Sequence, residues 1–100
     1  MQTSEHRARF RWSDSRSKRG LPDTLRYAHV VRFTEDPPPW SDESWSLACK
    51  FETSPAQQGN PSIGRVRFLL DDAPHERLEP GLKCWLFEGP TIAAEVEILD

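Results

Sequence analysis

One hundred residues form a single small domain, because a chain of this length buries one hydrophobic core. Hydrophobic residues make up 36% of the chain and charged residues 29%, which indicates a soluble globular protein with a thin core. No apolar run approaches the roughly 20 residues of a membrane-spanning helix. Residues 1–5 lack a signal-peptide pattern, so we expect a cytoplasmic protein with no membrane contact.

The net charge of −3 conceals an asymmetry along the chain. Residues 1–32 carry eight basic and three acidic residues, about +5, so the other 68 residues carry about −8. A basic segment joined to an acidic one is typical of contact with nucleic acid. The alternative is internal neutralisation, with basic strands lying beside acidic ones in the fold.

Alternation of apolar and polar residues predicts six strands. In chain order they cover residues 7–13, 27–34, 44–53, 63–70, 81–88 and 91–99. In the first strand Phe10 and Trp12 face the core, and in the second either Val30 or Val31 does so. Residues 13–20 between these strands are polar, which predicts a loop.

Three consecutive prolines at 37–39 exclude a regular strand or helix from the next connection. The third strand has the clearest pattern, because Leu47 and Cys49 alternate with outward residues. The inward residues of the fourth strand are Val66, Phe68 and Leu70. Gly64 marks a point where a bulge would shift the inward phase away from Ile63.

The last two strands form an antiparallel hairpin, because Glu88–Thr91 places glycine and proline between them. The inward residues are Leu82, Cys84, Leu86, Ile92, Ala94, Val96 and Ile98. The outward residues are Lys83, Trp85, Phe87, Ala93, Glu95 and Glu97. Six strands without a convincing helix predict an all-β fold, an antiparallel closed barrel, since closure leaves no bare edge.

Three segments share the order and spacing of motifs in a known family. Residues 78–89 form an apolar strand that closes on Glu-Gly, and residues 91–96 return as Thr-Ile-Ala-Ala-Glu-Val. Upstream, Arg19-Gly-Leu-Pro precedes Tyr27. Together these segments resemble the third, C-terminal β-barrel domain of elongation factor Tu over nearly the whole chain. The resemblance implies a Greek-key barrel that stands alone and contacts tRNA or the translation machinery.

The chain departs from that family where the family contacts tRNA. The hairpin connection Glu88–Thr91 lacks the family's arginine, and Ala93 and Glu95 replace glycines. A carboxylate at Glu95 would repel a phosphate. No glycine-rich phosphate loop followed by Lys-Ser or Lys-Thr occurs, which excludes GTP binding of that type.

Residues with catalytic or metal-binding chemistry are scattered. A zinc site would need Cys49, Cys84 and His29 to converge from three strands. The serines lack the context of an activated nucleophile. The acidic loop at Asp71 and Asp72 is either a solvated loop or a cation or acid–base site. We therefore expect no enzyme, no cofactor and no metal. Cys49 and Cys84 are interpreted as buried thiols, with a disulfide as the alternative.

Two surfaces are candidates for binding a partner. The residues proposed for a protein partner are Trp40, Trp85, Phe87 and Glu95. The residues proposed for RNA are Arg7, Arg9, Arg11, Arg19 and Tyr27. Loss of the family's arginine together with Glu95 favours the protein partner. We therefore expect a monomeric or weakly oligomeric binding module, with RNA binding as the alternative.

Overall fold

A computed structural model describes residues 5–36, 38–39 and 44–100 of the chain. The strands are β1 (His6–Trp12), β2 (Arg26–Phe33), β3 (Trp45–Lys50), β4 (Ser62–Phe68), β5 (Lys83–Glu88) and β6 (Thr91–Ile98). The helices are α1 (Asp14–Arg19) and α2 (Pro55–Gln58), and His75–Arg77 form a 3-10 turn.

The six strands form one closed antiparallel barrel in the order β1-β4-β3-β2-β5-β6, with β6 pairing back onto β1. Strands β2, β3 and β4 follow one another as neighbours, and β1 lies beside β4, which is a Greek-key arrangement. The prediction of a closed all-β barrel is therefore confirmed.

The barrel interior is filled by one inward face of every strand. Its large residues with less than 2% exposure include Phe10, Phe68, Leu47, Leu86, Ile98, Val66 and Val96. Trp12 is 4% exposed, and its indole Nε1 donates to Ser62 Oγ at 3.0 Å, so the polar atom of the ring is satisfied inside the core. Of the two valines of β2, Val31 faces the core and Val30 is half-buried.

Two connections that we expected to be irregular contain short helices. Ser13 caps α1, because its hydroxyl accepts a hydrogen bond from the Arg16 amide at 3.2 Å. Pro55 occupies the first turn of α2, where the missing amide hydrogen costs nothing. Helices of six and four residues are too short to show an apolar period, so the alternation pattern missed both.

The β5–β6 hairpin carries a bulge that reverses the expected phase of two residues. Leu86 pairs with Ala94 and Phe87 with Ile92, so Ala93 has no counterpart on β5. Ala93 is 1% exposed and Ile92 is 37% exposed, whereas we expected Ala93 outside and Ile92 inside. The extra residue is held because the Ala93 carbonyl accepts a hydrogen bond from the Ser13 amide at 2.8 Å.

Strand β4 differs from the prediction at both ends. Ile63 faces outward at 41% exposure and Gly64 faces inward, so the alternation continues through Gly64 without a shift of phase. The strand ends at Phe68, and Leu70 lies beyond it at 57% exposure instead of in the core. The third strand is likewise shorter than expected and ends at Lys50.

The loop that follows β4 is fastened to the end of β2 by Arg77. Its guanidinium donates to both carboxylate oxygens of Asp36 at 3.1 and 3.2 Å and to Glu35 at 2.6 Å. The same group lies 3.7 Å from the centre of the Phe33 ring. Part of the acidic charge of the chain is therefore neutralised at this end of the barrel.

Truncation of Leu86 tests the phase of the hairpin. Leu86 is 0% exposed, so Leu86→Ala is expected to lower the free energy of unfolding by about 2–5 kcal/mol in urea denaturation followed by tryptophan fluorescence. Leu70→Ala is the control, because this exposed leucine is expected to change stability by no more than about 0.5 kcal/mol. Equal losses from the two substitutions would place Leu86 outside the core.

Candidate functional site

The arginines of β1 lie beside acidic residues on one side of the strand. Strand β1 lies beside β6, and Arg9 forms an ion pair with Glu97 at 3.2 Å. Arg11 lies directly opposite Glu95 in the same register. On this side of β1 basic and acidic positions face each other, as the alternative of internal neutralisation anticipated.

On the other side of β1 the outward positions form a continuous row of basic residues. Arg26 lies opposite Lys50, Lys50 opposite Arg65, and Arg65 opposite Arg7. The four residues belong to neighbouring strands β2, β3, β4 and β1, and all four are exposed. Three strand spacings of about 4.8 Å make this basic row about 14 Å long.

Two carboxylates lie against the basic row, one at Arg7 and one at Lys50. Asp100 accepts hydrogen bonds from the Arg7 amide and from Arg7 Nε, both at 3.0 Å. The pKa of Asp100 lies below its ordinary value. The main cause is the hydrogen bond from the Arg7 backbone amide, and the Arg7 guanidinium lowers the pKa further. Glu5 lies 3.9 Å from Lys50. Among residues 5–36, 38–39 and 44–100, Arg26 and Arg65 make no ion pair within 4.0 Å.

A groove of about 600 Å³ lies beside the basic row. Arg7, Lys50 and Arg65 line it from the row, and Ile63 extends the same outer face of β4. Thr53 and Gln58 line it from the segment that follows β3. Glu5 and Glu52 also line it, so the groove combines three positive and two negative charges with the apolar side chain of Ile63.

The wall formed by this segment is held by one glutamine. Gln58 Nε2 donates to the carbonyls of Thr53 at 2.6 Å and of Ile63 at 2.9 Å. Gln58 Oε1 accepts from the Ile63 amide at 2.8 Å. These three bonds tie the end of α2 to the start of β4, which fixes the width of the groove.

The core packing beneath the groove requires glycine at position 64. A Cβ added to Gly64 would lie 2.6 Å from Phe51 Cδ1 and 2.9 Å from the Lys50 carbonyl oxygen. Phe51 itself is 2% exposed and packs against Phe10, with ring centres 5.0 Å apart. Because Gly64 faces inward, its missing side chain leaves room for the Phe51 ring in the core beneath the groove.

A second polar cluster surrounds Glu88 at the end of β5. Arg19 Nη2 donates to Glu88 Oε1 at 2.7 Å, and the Tyr27 hydroxyl donates to Oε2 at 2.7 Å. Arg16 Nε lies 3.1 Å from the same Oε2, and His29 Nε2 lies 3.8 Å from it. Two residues that we proposed for RNA, Arg19 and Tyr27, are therefore both engaged by one carboxylate.

Burial and charge act in opposite directions on the ionisation of this cluster. Burial raises the pKa of Glu88, but the hydrogen bonds from Tyr27 and Arg19, with the positive charge of Arg16, outweigh it and hold the pKa below its ordinary value. Burial, and then the adjacent Glu88 carboxylate, raise the pKa of Tyr27. The cluster consequently holds an ionised carboxylate against a neutral phenol.

The residues that we proposed for a protein partner lie on the β5–β6 hairpin. Trp85 is half-buried on the outer face, opposite Arg32 on β2 and Glu95 on β6. Phe87 is also half-buried and lies opposite Val30 and Ile92. These apolar side chains share a surface remote from the basic row. Trp40, the fourth proposed residue, lies outside the described residues.

Both cysteines are free thiols inside the barrel. Cys49 is 3% exposed and Cys84 is 0% exposed, and no disulfide joins them. Burial, and then the nearby Glu95 carboxylate, raise the pKa of Cys84 to about 12, and burial likewise raises that of Cys49. The interpretation as buried thiols is confirmed.

Metal chemistry finds no support in the part of the chain that is described. Over residues 5–36, 38–39 and 44–100, no three His, Cys, Asp or Glu side chains are grouped so as to hold a metal ion. Asp71 and Asp72 are exposed. None of the helices in these residues has the length and apolar character needed to cross a bilayer.

The basic row was missed because it depends on strand order. The outward phases of Lys50 and Arg65 follow from alternation, and Arg26 belongs to the basic first third of the chain. That they lie side by side follows only from the pairing of β2, β3, β4 and β1. Of the arginines proposed for RNA, Arg7 alone belongs to the row.

Neutralising Glu88 tests the polar cluster through its pH dependence. Because the pKa of Glu88 is lower in the folded than in the unfolded protein, its stabilising contribution is fully present above the unfolded value of about 4.3 and is lost as pH falls through the folded value. Glu88→Gln should lower the free energy of unfolding at pH 7 by about 1–3 kcal/mol, and this difference from wild type should shrink below about pH 4.

The measurement is urea denaturation at pH values from 7 to 3. Glu76→Gln is the control, because this carboxylate is exposed on the 3-10 turn and its loss should leave the profile close to that of wild type. A difference between wild type and Glu88→Gln that stays constant over this range would contradict the ionised state assigned to Glu88.

Comparison of the chain with protein-family models, curated protein sequences and solved structures finds no match. The resemblance to the third domain of elongation factor Tu therefore stays an expectation drawn from motifs.

Proposed function

We propose that the barrel is a non-catalytic module that binds the phosphate backbone of single-stranded RNA along the basic row. The observation that carries the proposal is the register of Arg26, Lys50, Arg65 and Arg7, which places four cations side by side on one surface. Phosphates attract such a row, and binding releases the counterions that would otherwise surround the RNA.

Packing alone does not account for the basic row. Like charges directly opposite each other in a sheet are destabilising, and outward positions accept many residue types. The neighbouring rows show the favourable arrangement, with Arg9 beside Glu97 and Arg11 opposite Glu95. Asp100 pairs with Arg7 and Glu5 lies 3.9 Å from Lys50, but Arg26 and Arg65 make no ion pair among the described residues. An anionic ligand would offset the repulsion that these two cations retain.

The surroundings of the row favour recognition of the backbone over recognition of bases. Phe51, the aromatic residue of the groove, is 2% exposed and offers little ring surface for stacking. Arginine and lysine side chains reach phosphates irrespective of sequence. We therefore propose binding that is sensitive to salt and tolerant of sequence.

The resemblance to elongation factor Tu supports RNA as the class of ligand but not the same contact surface. The family's hairpin arginine is absent between Glu88 and Thr91. Arg19 and Tyr27 are both engaged by Glu88, whereas two of the four cations of the basic row, Arg26 and Arg65, make no ion pair among the described residues. This difference favours the basic row as the candidate surface. The preference reached from sequence, a protein partner, thus becomes the second candidate.

That second candidate is supported by the outer face of the β5–β6 hairpin. Phe87 lies between Val30 and Ile92, and Trp85 lies one row away. Ile92 is 37% exposed, so apolar surface extends beyond the two aromatic rings. Tryptophan contributes strongly at the centre of protein interfaces, which makes Trp85 the residue to test.

The RNA proposal predicts a change of salt dependence. In fluorescence anisotropy with a labelled single-stranded RNA, Lys50→Gln with Arg65→Gln should weaken binding and reduce the slope of log K against log salt by about 0.7 for each lost phosphate contact. The cause is the loss of two phosphate contacts in the middle of the row.

Lys18→Gln with Lys83→Gln is the matched control, because it removes the same charge from exposed positions outside the row. An equal loss of affinity in the two double variants would show that only net charge matters, and the row would lose its assigned role. Absence of RNA binding by wild type at about 50 mM salt would end the proposal.

The protein candidate predicts the opposite pattern. Capture of a partner from extract treated with RNase should survive Lys50→Gln with Arg65→Gln and be weakened by Trp85→Ala, which we expect to cost about 2 kcal/mol or more. Leu25→Ala is the control, because this leucine is 53% exposed and lies outside the hairpin. Capture that is unaffected by Trp85→Ala would remove the hairpin face as the interface.

A further inference from the structure

The groove beside the basic row has the dimensions of a small-molecule site. Its volume of about 600 Å³ falls within the roughly 300–1,000 Å³ that such sites occupy. It lies between the start of β1, the end of β3, the end of α2 and the start of β4.

The two sides of the groove differ in chemistry. Arg7, Lys50 and Arg65 provide three positive charges along one side, and Glu5 and Glu52 add two carboxylates to the lining, which leaves a net positive charge. Ile63 is 41% exposed and stands two positions before Arg65 on the same face of β4. A ligand that satisfies both sides has an anionic group joined to a body with apolar surface.

The second side of the groove is rigid before any ligand arrives. The side chain of Gln58 uses all three of its hydrogen bonds on the backbone of Thr53 and Ile63. A preformed wall lowers the entropy lost when a ligand binds.

Carboxylates of the chain itself occupy the positive side. Asp100 binds Arg7 through two hydrogen bonds of 3.0 Å, and Glu5 lies 3.9 Å from Lys50. Oδ2 of Asp100 accepts from the Arg7 guanidinium, where a phosphate oxygen would bind, and Oδ1 accepts from the Arg7 backbone amide. An incoming phosphate therefore competes with Asp100 for Arg7.

We infer that the groove seats one nucleotide unit, with its phosphate on Arg7, Lys50 and Arg65 and its base against Ile63, and that it accordingly binds a free nucleoside monophosphate. The inference deepens the proposed function and rests on it for the class of ligand. The nucleotide site differs from the proposed RNA contact because it is a defined pocket for one nucleotide, and binding of the RNA backbone does not need such a pocket.

The test is a titration of the whole chain, labelled with ¹⁵N, with 5′-AMP, adenosine and inorganic phosphate, each followed by amide chemical shifts. We expect 5′-AMP to give saturable shifts at Lys50, Ile63, Gly64 and Arg65, with a dissociation constant of roughly 1 mM. Adenosine and phosphate should each bind at least about fivefold more weakly, because each satisfies one side of the groove.

Two variants change the affinity for 5′-AMP in opposite directions. Arg65→Gln should weaken binding at least about fivefold, since it removes a cation from the middle of the positive side. Asp100→Asn should strengthen binding about two- to fivefold, since it removes the competing carboxylate. Glu79→Gln is the control for Asp100→Asn, because it also removes one negative charge. Glu79 is exposed and lies away from the groove, so this substitution should leave the affinity for 5′-AMP unchanged.

A gain of affinity in Asp100→Asn is not produced by misfolding, so it keeps the inference testable even if Arg65→Gln unfolds. Equal affinities for 5′-AMP and inorganic phosphate would overturn the role of Ile63 and with it the nucleotide site. Salt-sensitive RNA binding without saturable 5′-AMP shifts would overturn this inference alone. Binding of 5′-AMP without RNA binding would overturn the proposed function and leave the site standing.

Discussion

Closure of the barrel by β1 is the constraint on which the rest of the structure depends. This strand pairs with β4 along His6–Phe10 and with β6 along Ala8–Trp12, so it joins the start of the chain to both its middle and its end. Trp12 reinforces the joint, because its indole donates to Ser62 and its amide donates to Asn60 Oδ1 at 2.9 Å. Without β1 the sheet would have two open edges and no enclosed core.

Closure of the barrel by β1 also decides which charged residues lie next to each other on the surface. On one side of β1, Arg9 and Arg11 lie opposite the acidic residues Glu97 and Glu95 of β6. On the other side, Arg7 lies opposite Arg65 of β4. Ion pairs form on the first side, as between Arg9 and Glu97, and positive charge accumulates on the second. A protein with a net charge of −3 can thus present a strongly basic surface.

Sequence predicted the barrel because each strand buries one face, and a period of two records that face directly. It misplaced Ile92 and Ala93 because Ala93 and Ala94 are both small and apolar, so nothing in the pattern marks the bulge. The polar cluster at Glu88 and the basic row escaped prediction for a related reason. Both bring together residues distant in the chain, such as Arg26 and Arg65, whose proximity is decided by strand order and register.

Because both thiols are buried, their chemical reactivity reports local opening of the barrel. A cysteine reacts as its thiolate, and Cys49 and Cys84 are enclosed and held in the neutral form. An alkylating reagent can reach them only when β3 or β5 separates from its neighbours. The labelling rate of each cysteine under native conditions therefore measures how often its own strand separates from the barrel, β3 for Cys49 and β5 for Cys84.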